Sequence, residues 1–124
     1  MGRLRAEFLE RVESFSDRVL RMAEALERQK RSHRLIDQIA ASGTSVGANA
    51  FEADEALSRP DFCKSIGIAL KELAETRFWI RIVARRKWIA PKRLEPLEAE
   101  CIELKRILGA MVVRTRRNTE HRTI

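Results

Sequence analysis

The residues able to perform acid–base, nucleophilic or metal chemistry are few, and their spacing suits none of it. The histidines are His33 and His121, and the cysteines are Cys63 and Cys101. A di-iron or di-manganese bundle needs Glu-x-x-His on two helices, whereas one histidine here falls in a link and the other near the C-terminal end. Neither cysteine has a histidine at helical spacing that would lower its pKa. There is no H-E-x-x-H, no cysteine pair at metal spacing, and no Walker loop or G-x-G-x-x-G between a strand and a helix. Ser42, Ser45 and Asp37 make no triad without a histidine. Glu52 with Glu72 is the one enzymatic arrangement left, and it needs a shared pocket with raised pKa values. The expectation is a non-enzyme with no metal and no cofactor.

What the chain has in quantity is positive charge. Its 124 residues hold 25 Lys and Arg against 18 Asp and Glu, a net +7, with 35% of residues charged. Such a balance suits a polyanion, RNA or DNA, as partner. The candidate nucleic-acid-binding residues are Arg28, Lys30, Arg31 and Arg34 in one stretch, and Arg77, Arg81, Arg85, Arg86, Lys87, Trp88, Lys92 and Arg93 in another. No Asp or Glu occurs between Thr76 and Leu94. Trp88 sits among these cations, where an indole can stack on a base. Arg3, Arg5, Arg114, Arg116, Arg117 and Arg122 form a second cluster, read as a solvated tail.

Helices must position these groups. Leu4, Phe8, Val12, Phe15, Val19, Met22 and Leu26 recur at steps of three and four, predicting a helix over 4–28. A second is predicted over 33–57, with Leu35, Ile39, Val46, Ala50, Ala53 and Leu57 inward. Its middle is rich in small residues, and each of Gly43 and Gly47 costs a helix interior about 1 kcal/mol relative to Ala. Lying four apart on one face, they predict close approach by a neighbouring helix; the alternative is a break at Gly43.

Ser58, Arg59, Pro60 and Asp61 mark the start of a third helix, over 59–86. Its seam is Phe62, Ile66, Ala69, Leu73, Thr76, Ile80 and Val83, while Ile68, Trp79 and Ile82 form a second apolar face, read as a subunit contact. A fourth, over 91–116, carries Leu94, Leu97, Cys101, Leu104, Leu108 and Met111. Pro96 requires either a start near Glu95 or a bent first turn. Residues 118–124 read as a frayed tail after one domain, 1–117.

Four helices with short links predict an all-α, antiparallel up-down-up-down bundle. In it the two basic links share one pole. Cys63 and Cys101 then lie roughly 20 Å apart along the axis, too far for a disulfide. Asn49 and Glu52 lie one helical step apart on or beside the inward face of helix two; buried, they need partners, in each other, in Glu72 or Arg77 of helix three, or across a subunit boundary, and with Glu72 they are read as a structural polar contact. Met1 to Glu10 is charged and lacks a signal peptide's apolar region, and no apolar run is long enough to span a bilayer. A soluble cytoplasmic protein is expected.

The segment from Gln38 to Glu75 resembles the four-helix-bundle proteins of the 23S rRNA intervening-sequence family. The pattern S-x-G-A-N-x-x-E falls on Ser45, Gly47, Ala48, Asn49 and Glu52; S-x-x-D-F on Ser58, Asp61 and Phe62; and the E-L pair on Glu72 and Leu73. The family's usual Gly after the glutamate is Ala53 here. The resemblance implies an antiparallel bundle assembling into a ring, typically a homopentamer. It also implies a fold similar to the accessory protein that partners the reverse transcriptase of diversity-generating retroelements. Two readings follow: a nucleic-acid binder acting through the basic pole, and a protein-interaction scaffold or accessory subunit, with a reverse transcriptase as one such partner.

Overall fold

The computed structural model describes residues 2–123, with side chains through Arg117. Four helices follow one another: α1 (Ala6–Arg28), α2 (His33–Asp54), α3 (Arg59–Arg85) and α4 (Pro91–Thr123). The tail expected over 118–124 lies outside the residues whose side chains are described.

The periodic apolar positions become the core with few exceptions. All seven seam residues of α3 are buried, as are Val12, Phe15, Val19, Met22 and Leu26 of α1 and Leu94, Leu97, Cys101, Leu104 and Leu108 of α4. Leu4, Phe8, Leu35 and Met111 are partly buried against the core, and Leu57 lies outside it: it is 93% exposed, because α2 stops at Asp54 and leaves it in the turn. The turn is short because the Ser58 hydroxyl already caps α3, accepting from the Asp61 N–H at 3.2 Å.

α2 runs unbroken through its glycines, and α1 explains why. A Cβ built on Gly43 would lie 2.3 Å from Val19 Cγ1, and one on Gly47 would lie 2.7 Å from Ser16 Oγ. The Ser16 hydroxyl donates to the Gly43 carbonyl at 2.8 Å, fixing the close approach. With Arg3 bonded to Asp54 and Ser16 to Gly43, rising numbers in α1 meet falling numbers in α2, so the pair is antiparallel. α2 and α3 meet through a buried hydrogen bond, Thr76 Oγ1 to Ser42 Oγ at 3.0 Å. α1 and α4 stand further apart and are joined at the rim, where Arg11 forks onto both oxygens of Glu100 at 2.8 Å.

Pro96 lies inside α4, which starts at Pro91 and not near Glu95. Both cysteines are free thiols; burial pushes Cys101 up to about 12, so it stays protonated and unreactive at neutral pH. Among the described residues, no helix is long and apolar enough to cross a membrane, and no cluster of His, Cys, Asp and Glu is placed to hold a metal ion.

Candidate nucleic-acid interface

Both basic links end their helices in the same way. After α1, Lys30 has φ 59, with its N–H on the Glu27 carbonyl and the Arg31 N–H on Leu26; after α3, Lys87 has φ 57, with the corresponding bonds to Ala84 and Val83. This left-handed terminus satisfies the last carbonyls and ordinarily takes glycine. A lysine there costs roughly 1 kcal/mol more, and both lysines are exposed.

The two links touch. Gln29 Nε2 donates to the Trp88 carbonyl at 2.7 Å, and the Arg31 guanidinium lies 4.4 Å from the centroid of the Trp88 ring. Arg86 approaches the same ring at 5.6 Å. Trp88 is therefore packed into the pole by its neighbours, with one face already stacked. Around it Arg28, Lys30, Arg34, Arg85, Arg86, Lys87, Lys92 and Arg93 are exposed, and among the described residues none forms an ion pair.

Arg77 and Arg81 differ from these. Both donate to one oxygen of Glu98 at 3.1 Å, so half their charge is spent inside the chain. Burial pushes the Glu98 carboxyl up, but hydrogen bonds and charge from Arg81 and Arg77 outweigh it and hold the group below its ordinary range. Glu98 was missed as a site residue although hairpin symmetry about Trp88 brings that part of α4 opposite Arg77 and Arg81. Gln29 was also missed, and no sequence signal marks it.

Among the described residues of the single chain, Asn49, Glu52 and Glu72 form no hydrogen bond with one another. Asn49 is buried and turns back on its own helix, donating to Ser45 O at 2.8 Å and Ser45 Oγ at 3.1 Å. Glu52 is exposed, one turn further round, and the Glu72 carbonyl accepts from Thr76 while its carboxylate makes no bond among the described residues. On the second face of α3, Ile68 is exposed, whereas Trp79 and Ile82 are half-buried within their own chain. The Trp79 N–H donates to Glu75 at 3.2 Å and its ring meets Phe78 edge-on. At the other pole Arg3, Arg5 and Arg114 line a cavity of about 360 Å³ with Phe8, Phe62 and Met111; Arg122 lies outside the described side chains.

No match was found among curated proteins. A crystal structure of a protein of unknown function from the S23 ribosomal protein family of Bacteroides thetaiotaomicron is 31% identical and superposes with a TM-score of 0.79, over 84% of this chain and 96% of that one. The family model described as 23S rRNA-intervening sequence protein matches residues 5–110, which takes in all of α1 to α3, the basic pole and most of α4. The small-residue stretch of α2 and the capped turn before α3 lie within the matched span, and the chain belongs to the 23S rRNA-intervening sequence protein family.

Proposed function

We propose that this protein is a non-enzymatic, ring-forming bundle that binds the phosphates of RNA or DNA through the pole where its two basic links meet. One observation carries the reading: eight exposed cations from both links stand together with no carboxylate partner among the described residues. An unneutralised cluster of this kind attracts a polyanion and gains from counterion release. A ring, a homopentamer as in the family it resembles, repeats the pole around an axis and adds avidity without new contacts. A cytoplasmic setting suits two free thiols.

The test is binding to labelled RNA and duplex DNA across a salt series. Replacing Arg85, Arg86 and Lys87 together by Ala should weaken binding at least tenfold and flatten the log–log salt slope by about 3. Unchanged affinity and slope would overturn the reading. A second reading, an interaction scaffold or accessory subunit, is favoured by exposed Phe78 and Ile102 beside an apolar groove; co-purification with a protein and without nucleic acid would support it.

A further inference from the structure

We infer that copies of this chain associate head to tail, the acidic outer face of one α1–α2 hairpin docking into the basic-rimmed apolar groove on the α3–α4 hairpin of the next. This rests on the ring-forming part of the proposed function and names the two surfaces that meet.

The groove lies between α3 and α4 and encloses about 560 Å³. Leu70, Ala74 and Phe78 line it from one side, and Ile102, Lys105 and Gly109 from the other. Phe78 is 54% and Ile102 50% exposed. Arg77, Arg81 and Lys105 form its rim, offset by Glu98 alone among the groove's ion pairs. Gly109, and Gly67 one turn before Leu70, sit inside helices with nothing within 4 Å of a built Cβ. A helix-interior glycine sacrifices about 1 kcal/mol, and here nothing within the chain uses the space it leaves. A backbone or side chain from outside would.

Charge selects the occupant. α1 and α2 together carry nine Asp and Glu against five Lys and Arg, whereas α3 and α4 carry eight against fourteen. On α1, Glu13, Leu20 and Glu24 follow one flank of the helix, the flank on which Ser16 meets α2. Phe51, one turn beyond Gly47, is exposed on the same hairpin, toward the N-terminal end of α1. Glu13, Glu24 and nearby Asp37 form no ion pair among the described residues. This hairpin therefore presents Leu20 among unpaired carboxylates, with Phe51 exposed further toward the N-terminal end of α1, the complement of Phe78 and Ile102 among cations. Pairing like face with like would oppose like charges.

The helix order sets the two faces on opposite sides of the bundle. A contact between them is heterologous, leaving each end of a pair with one unused face, and successive additions close into a ring when the rotation allows.

Complementation of two variants tests the assignment. Phe78→Asp with Ile102→Asp destroys the groove; Glu13→Lys with Glu24→Lys reverses the acidic face; all four residues are exposed. Wild type should sediment as a multiple of 14.3 kDa, and each variant alone at that mass. An equimolar mixture should give a species of twice the mass and nothing larger, since each variant keeps the face the other lacks. Gly109→Arg, which needs no core rearrangement, should also give a monomer and guards against a misfolded groove variant. A mixture that stays monomeric, or a folded Gly109→Arg that keeps wild-type mass, overturns the assignment. A monomeric wild type overturns the ring with it, while salt-dependent RNA binding by the same samples reports separately on the basic pole.

Discussion

In the α1–α2 hairpin the glycines are filled from within: Val19 packs against Gly43 and Ser16 against Gly47, and the helices are drawn together. In the α3–α4 hairpin Gly67 and Gly109 meet nothing in the chain, and the helices are joined at their edge by Arg77, Arg81 and Glu98. The first hairpin is finished when the chain folds. The second retains an open groove and an excess of positive charge. The same residue type thus signals internal packing in one half and an unfilled surface in the other, and only the distance to the next atom separates the two meanings.

Alanine at each glycine sharpens the contrast. Gly43→Ala places a methyl 2.3 Å from Val19 Cγ1 and 2.7 Å from its Cβ, so α1 and α2 must separate. We expect a loss of about 1–3 kcal/mol in urea unfolding. A neutral result would mean that α1 gives way freely and that the first hairpin is not close-packed in the sense described. Gly109→Ala should have the opposite sign, stabilising an isolated chain by about 1 kcal/mol through helix propensity. A loss there, measured on monomer, would erase the distinction between the hairpins.

The smallest effect concerns the edge of the second hairpin. Glu98→Gln should cost about 0.5–1 kcal/mol at neutral pH, as expected for a partly exposed ion-pair network. The folded state holds the Glu98 carboxyl below its unfolded value, so this contribution is complete above the ordinary glutamate value and disappears as pH falls through the folded one. Wild-type and variant stabilities should therefore converge in acid. Parallel curves would show that the carboxylate, though bonded, adds nothing.

Periodicity made much of this legible. The seam of α3 was read residue for residue because a seven-residue apolar repeat has one buried solution, and the close approach at Gly43 and Gly47 followed from glycines four apart on one face. Leu57 was misread because the inward pattern continued past the end of α2, and a capped turn takes precedence over pattern. Asn49 shows a different limit: its amide reaches the carbonyl four residues back, so burial did not require a partner on another helix. That the two links share a pole followed from topology alone. How Trp88 is oriented there depends on side-chain torsions, which no spacing rule specifies.

That orientation bears on discrimination between sequences. With Arg31 already lying 4.4 Å from its centroid, the Trp88 indole has a partner before any ligand arrives. A base seeking that face must first displace a cation, exchanging one stacked group for another at little gain. A phosphate encounters no such competitor at Lys30 or Lys87. On the proposed reading, the pole would sense the path of a nucleic-acid backbone and remain indifferent to the letters it carries.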